Sequence, residues 1–382
     1  MGFTDFQRDI YGDAGAPPYS VNLPALEEAA RAVMSVEAFQ YLAGSAGDEA
    51  TARANRASFD SWRIVPRMLT GPDDPPSLSV ELFGQTYPAP VALAPVAAQT
   101  IMHPDGERAA AAAAASVGLP FVLSSFASHS LESIASVGGP RWFQLYWPFD
   151  DEITASLLSR ASQSGYSALV VTLDAWVVGF RPRELDLGYN PFLKGIGLAT
   201  PLSDPVFRAR TAGLSDARRA ELWAKLVQGR AHSWAELEFL RANWPGPILL
   251  KGILHPDDAR RAVDHGMDGI IVSNHGGRQL GGTVSSLQAL PEIARAVGSQ
   301  CTVALDSGLR TGADALKALA LGARFVLLGR PYLWGLALDG EPGVRHVLRS
   351  LLADLETSLA LTGRTLSTLT PSDLVRGDGT LW

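Results

Sequence analysis

Residues 273–280, SNHGGRQL, place His275 and Arg278 three positions apart directly after the apolar run GIIV at 269–272. Histidine is the side chain whose ordinary pKa lies nearest neutral pH, so it can take and return a proton there. Arginine brings a fixed positive charge in a planar fork of donors. A proton-transfer group beside a fixed cation suits chemistry on a bound anion. Other apolar runs also finish on polar residues: Ser124, Gln144, Tyr146, Thr172, Asp174, Lys251, Ser273, Asp306, Gly308, Arg310, Gly329 and Arg330. Two clusters stand out. The DSGLR of 306–310 and the GR of 329–330 combine glycine amides with Arg310 and Arg330, a combination that suits a phosphate. Lys251, His275, Arg278 and Asp174 are too many titratable groups to bury without a ligand.

The elements that must gather these residues follow from the runs themselves. APVALAP (89–95), LPFVLSS (119–125), RWFQLYW (141–147), ALVVTLD (168–174), PILLKG (247–252), GIIVSN (269–274), TVALDSG (302–308) and FVLLGR (325–330) are brief and rich in β-branched or aromatic residues. That is the composition of buried parallel strands. Between them lie helical stretches, most opened by Asp, Ser or Thr and closed by Gly. Eightfold alternation predicts an α/β fold, a (β/α)8 TIM barrel, which brings all strand ends to one face. A doubly wound open sheet would need a break in the repeat at a switch point, and none is visible. The domain reading is one unit, 1–382. It comprises an N-terminal helical cap (1–85), the barrel (86–369), a lid insertion after strand 4 (187–232) and a C-terminal tail (370–382). The lid should cover the mouth where barrel active sites lie.

Composition narrows the function classes. A formal charge of −7 with scattered arginines speaks against a nucleic-acid footprint. Cys301 is the only cysteine, so neither an intramolecular disulfide nor a thiolate metal cage is available, and no metal site is expected. The N-terminal segment lacks the pattern of a signal peptide, and no uncharged apolar stretch reaches membrane-spanning length. A cytoplasmic protein with no membrane partner is the expectation.

SNHGGRQL, with KG at 251–252, FQLY at 143–146, TLD at 172–174, DSGLRTGADALKALALGA at 306–323 and GRP at 329–331, resembles the FMN-dependent α-hydroxy acid oxidase and dehydrogenase family. Glycolate oxidase, lactate oxidase, mandelate dehydrogenase and lactate 2-monooxygenase belong to that family. The similarity runs from YLAGSAGDE at 41 to LALTGRTLSTL ending at 369. The NPFLKG and SDPVF of the insertion, and TLDAWVVGFRPREL at 172–185, resemble its lactate 2-monooxygenase branch most.

The resemblance implies FMN as cofactor and oxidation of a small-molecule L-2-hydroxy acid to the 2-oxo acid. His275 would be the base, oriented by Asp174. Arg278 would grip the carboxylate, with Arg181 as the second substrate arginine and Tyr41 and Tyr146 as phenolic donors. Lys251 would sit by the flavin N1 and C2 carbonyl. Ser124, Gln144, Thr172 and Ser273 would hold the isoalloxazine and ribityl groups. Asp306, Gly308, Arg310, Gly329 and Arg330 would hold the ribityl chain and phosphate, and the backbone of Pro95, Val96 and Ala97 would pass near N5. Phe126 stands at the pocket wall where several members carry tryptophan. Ala97 matches the oxidases, whereas lactate 2-monooxygenase carries glycine there. Prompt product release would give an oxidase; retention while oxygen reacts would give oxidative decarboxylation. O2 or another diffusible acceptor would take the electrons, and a homo-oligomer, tetramer or octamer, is expected. A dehydrogenase with a non-oxygen acceptor is a further alternative. A non-catalytic FMN-binding barrel would show a damaged base or clamp, and neither is damaged. The remaining histidines, 103, 129, 232, 255, 265 and 346, read as helix-start, surface or packing residues, and Trp147, Trp176 and Trp234 as core filling.

Overall fold

The eight apolar runs form eight parallel strands: β1 (Val91–Leu93), β2 (Phe121–Ser124), β3 (Arg141–Leu145), β4 (Leu169–Thr172), β5 (Ile248–Ile253), β6 (Gly269–Val272), β7 (Thr302–Leu305) and β8 (Phe325–Leu328). Each pairs with the next, and β8 pairs with β1, so the sheet closes on itself. The computed structural model describes residue 2 and residues 4–12, 15–70 and 76–377. The last part of the expected tail, 378–382, lies outside the described residues.

Because side chains alternate across a strand, each strand feeds two cores. Ala92, Val122, Trp142, Val170, Leu249, Ile271, Ala304 and Leu327 fill the barrel interior. Val91, Leu93, Phe121, Leu123, Phe143 and Leu145 face outward into a second core shared with the helices. A hairpin of Val80–Leu82 and Gln85–Tyr87 joins the interior cluster through Val80, Leu82 and Tyr87, with Phe83 set edge-on to Trp142.

The structure departs from the sequence reading after β8. The apolar run FVLLGR reaches residue 330, but the strand stops at Leu328 and Gly329 caps a helix running from Arg330 to Thr362, kinked at Asp339 and Gly340, where φ is −159° and 58°. Pro331 in the first turn suits a helix start, and it masks the helix when composition alone is read. Arg330 therefore opens a helix instead of ending a strand. The excursion between β4 and β5 leaves the barrel at Thr172 and includes the helix Pro182–Asp186 ahead of the expected lid bounds, followed by Pro205–Arg210 and Asp216–Val227. Among the described residues no helix is long and apolar enough to cross a membrane.

The cap is tied to the loop after β6 by a reciprocal amide pair. Asn55, in the cap helix Ala50–Asp60, donates to Asn274 Oδ1 at 2.8 Å, and Asn274 donates back at 2.7 Å. Asn55 Oδ1 also accepts from Ser286 N, and Asn274 Oδ1 from Gly277 N. All of this is buried, where each unpaired polar group costs about 1–3 kcal/mol. Asn55→Ala should lower unfolding stability by about 2 kcal/mol, measured by denaturant titration; an unchanged midpoint would show that the cap does not hold this loop.

Candidate active site

Residues 275–277 all have left-handed backbone, with φ of 60°, 67° and 80°. The two glycines take this conformation without strain; His275 does not. At Gly277 a side chain is also excluded by space, because a Cβ would stand 2.8 Å from Ala52 N. This tight turn carries the imidazole back over the strand ends. His275 Nδ1 lies 2.8 Å from Asp174 Oδ1, and Nε2 lies 3.3 Å from the Tyr146 hydroxyl. Gly252 makes room for the carboxylate, since a Cβ there would meet Asp174 at 2.9 Å. With Nδ1–H donated to Asp174, the lone pair of neutral His275 is on Nε2, beside Tyr146.

The local charges keep that state. Burial, with help from Lys251 and Arg181, lowers the His275 pKa below its ordinary value and outweighs the pull of Asp174 in the other direction. Burial alone would raise Asp174, yet His275 and Lys251 bring it below the usual carboxylate value. Burial opposes the charge of Lys251 too, but Asp306, at 3.2 Å, and Asp174 hold its pKa above the ordinary amine value. The group is thus a neutral imidazole between an anion and a cation.

A row of polar side chains rims the barrel behind it. Gln144 Nε2 donates to Thr172 Oγ1, Thr172 pairs in register with Lys251, and Lys251 Nζ donates to Ser273 Oγ. Ser124 Oγ accepts from Phe126 N. Gln144 Oε1 is buried without a hydrogen-bond partner among the described residues.

One cavity of about 230 Å³ gathers most of the expected residues: Tyr41, Pro95, Val96, Ala97, Phe126, Tyr146, Arg181, Lys251, His275, Arg278, Asp306, Gly308, Arg310, Gly329 and Arg330. Ser124, Gln144, Thr172, Asp174 and Ser273 are absent from that lining, and Thr172 and Asp174 line a second cavity that shares Tyr146 with the first. Asp174 acts on the cavity through His275.

Two groups of cations line the cavity and differ in their partners. In the first, Arg278 donates to the carbonyls of Tyr41 and Gly44 at 2.6 and 2.9 Å, ion-pairs with Glu184 at 2.8 Å, and lies over the Tyr41 ring. Arg181 donates to Arg278 O and Gln279 Oε1. Burial raises the pKa of both Tyr41 and Tyr146, so each phenol keeps its proton. Phe126 packs edge-on against Tyr146 and Phe192 to form an apolar wall. In the second, Arg310 and Arg330 have no carboxylate within ion-pair distance among the described residues, and Arg330 shares the Gly44 carbonyl with Arg278. Arg330 donates to Leu42 O, Gly44 O, Gly276 O and Ser45 Oγ, and Arg310 to Leu309 O. Burial first, then neighbouring arginines, brings Arg310 down to about 10 and Arg330 down to about 9. A Cβ on Gly329 would meet nothing within 4 Å, so the backbone beside these cations faces open space.

These residues fit FMN. Two desolvated guanidiniums beside an open glycine suit a phosphate, the orphaned Gln144 oxygen suits a polar ring edge, and Lys251 suits a site of developing negative charge.

His129 and His232 pack as expected, and the reading of Trp176 needs correction. His129 is bonded to buried Glu107 at 2.9 Å, and His232 lies stacked between Trp147 and Phe149, bonded to Glu236 and to Trp147 O. Glu107 and Trp147 are brought near by the fold, whereas Glu236 stands four residues from His232 in sequence. Trp176 is 46% exposed and fills no core. Sequence reasoning missed Glu184, Phe192, Gln279 and Asn55. Glu184, three residues after Arg181, carried an available signal in helical i,i+3 spacing; Asn55 carried none.

A family model described as FMN-dependent dehydrogenase matches residues 30–376. An FMN-dependent alpha-hydroxy acid dehydrogenase of Penicillium citrinum is 46% identical over 375 residues, covering 95% of this chain and 93% of that one. An L-lactate oxidase of Lysinibacillus sphaericus (strain C3-41) is 40% identical over 365 residues, covering 95% and 94%. A crystal structure of mandelate oxidase aligns with a TM-score of 0.83 at 39% identity, covering 94% of this chain and 99% of that one.

Uncompensated buried cations should be relieved by an added anion. Inorganic phosphate is expected to raise the melting temperature of the cofactor-free protein, and Arg310→Met to remove most of that rise. A scanning-fluorimetry titration in which wild type and variant respond alike would contradict the reading.

Proposed function

The chain belongs to the FMN-dependent dehydrogenase family, and on that premise we propose that it oxidises an L-2-hydroxy acid to the 2-oxo acid with His275 as base and Arg278 and Arg181 as carboxylate clamp. It is an oxidoreductase for 2-hydroxy acids that uses FMN. The observation carrying the finer reading is the 2.8 Å contact of His275 Nδ1 with Asp174, which leaves Nε2 as the basic atom beside Tyr146 and a pair of arginines.

The substrate's carboxylate would lie on the free edges of Arg278 and Arg181. Arg278 has five N–H donors; three are taken by Tyr41 O, Gly44 O and Glu184, which leaves two for a bidentate contact. Held this way, the 2-hydroxyl reaches His275 Nε2, with the Tyr146 phenol donating to its oxygen. His275 takes the hydroxyl proton, and Asp174 stabilises the imidazolium that results. FMN, when bound, supplies the acceptor for the two electrons that leave the α-carbon. Lys251 would place positive charge beside the cofactor's pyrimidine edge, Arg310 and Arg330 would hold its phosphate, and Pro95, Val96 and Ala97 would pass along its reactive side.

Phe126, Phe192, Leu193, Val178 and Val227 line the same cavity. Such walls favour a substrate whose side chain is apolar. Relatives that are oxidases by name support O2 as the final acceptor. The alanine at 97 is the feature favouring product release over oxidative decarboxylation. A homo-oligomer in the cytoplasm completes the proposal.

The test is anaerobic mixing of FMN-loaded protein with a panel of L-2-hydroxy acids, followed by air. Bleaching of the flavin, then peroxide with an intact 2-oxo acid, is the expected result. Carbon dioxide with a shortened acid would assign the monooxygenase outcome, and recovery only with an artificial acceptor would assign a dehydrogenase. No bleaching by any acid would overturn the reading.

Two residue-level outcomes follow. His275→Ala should slow bleaching by about 10²–10⁴-fold while FMN stays bound, and Arg278→Lys should raise KM about 10–100-fold, the loss of a charged hydrogen bond. The base works when neutral and its pKa is shifted down from 6.5. Bleaching at subsaturating substrate should therefore be flat at neutral pH and fall on acidification only below pH 6.5. A fall that begins above that value would contradict the neutral-base assignment.

A further inference from the structure

Among the described residues Glu184 is the one carboxylate that touches both arginines of the clamp. It lies 2.8 Å from Arg278 Nη2 and 3.5 Å from Arg181 Nη1, and all three side chains are only 13–15% exposed. It stands on the short helix Pro182–Asp186, which Arg181 precedes as N-cap residue, so the lid segment that delivers one arginine also delivers its counter-charge. The segment is fastened at other points: Arg183 bonds Glu49 and Gln40 in the cap, and Arg181 and Gly179 bond the loop after His275.

Side by side, the two guanidiniums repel; the charge of Arg278 is the second-largest influence depressing the Arg181 pKa, after burial. Without an anion between them Arg181 would gain by swinging outward on its lid. A carboxylate fixed in that place could act in two opposite ways. It could compete with the substrate for the clamp, or it could hold the fork in shape while leaving donors free. Donor counting favours the second, because Glu184 takes one of the five N–H groups of Arg278 and two remain after the carbonyls are served.

We propose that Glu184 is a positioning residue for substrate binding: by bridging Arg278 and Arg181 it holds the lid helix shut and keeps both guanidiniums aimed at one carboxylate. This rests on the reading of Arg278 as carboxylate clamp. The two roles predict opposite signs. Glu184→Gln removes a negative charge beside an anion site, so charge alone, or the loss of a competitor, would tighten binding of acids. Loss of positioning would weaken it.

The experiment uses FMN-loaded protein and oxalate, a carboxylate with no hydrogen on carbon to lose, titrated by calorimetry, together with steady-state rates on the best hydroxy acid. Glu184→Gln is expected to weaken oxalate about tenfold and raise KM to match, with kcat changed less than about threefold. Glu184→Asp, which keeps the charge at shorter reach, should fall between the variant and the wild type, and it carries the test if the glutamine variant does not fold. Unchanged or tighter oxalate binding in both variants would overturn the proposal. Arg278→Lys, titrated alongside, separates the two claims. If it weakens oxalate and the Glu184 variants do not, only the positioning role fails; if it too leaves binding unchanged, the clamp reading itself fails.

Discussion

The mouth of this barrel has to bury more positive charge than its own carboxylates can match. Lys251, Arg310, Arg330, Arg278 and Arg181 all line one cavity, and burial works against the charge of each one with a resolved shift. Desolvating a cation without a partner is expensive, so the fold distributes partners selectively. Lys251 has Asp306, and Arg278 and Arg181 share Glu184, whereas Arg310 and Arg330 rest, among the described residues, on backbone carbonyls and a single hydroxyl. The least compensated charges are the pair suited to a phosphate. Folding therefore leaves a defined electrostatic deficit, and its shape describes the ligand that completes it.

Asp174 and His275 solve a related problem within the same field. In the role proposed for it, His275 must stay neutral until substrate arrives, and a nearby anion alone would favour its protonation. Burial, helped by Lys251 and Arg181, counters Asp174. On the proposed reading, the same lysine that suits the cofactor's ring also helps keep His275 neutral, which couples the electrostatics of the two sites.

Much of this was legible in the sequence because it rests on local pattern. Eight apolar runs gave eight strands, each with polar residues at its end, since parallel strands buried on both faces cannot disguise their composition. The position of His275 followed from where β6 had to stop. What escaped depends on contacts between distant segments. Asn55 meets Asn274 across 219 positions, and His129 finds Glu107 only after a helix and a strand have packed. The helix start at Arg330 was hidden for a different reason: Pro331 and the Gly340 kink break the composition that marks a long helix, although the chain stays helical around them. Glu184 lay in plain view beside Arg181, but its meaning depends on Arg278 arriving from another strand.

The left-handed backbone of His275 separates two demands on one position. A side chain held at a φ of 60° costs on the order of 1 kcal/mol relative to glycine, and the loop tolerates it only because Gly276, Gly277 and the cap amides fix the turn around it. Stability selection acting alone would drift this position toward glycine or asparagine. An imidazole that stays there is maintained against that drift, and laboratory evolution for heat resistance would be expected to discard it among the first residues unless turnover were selected at the same time.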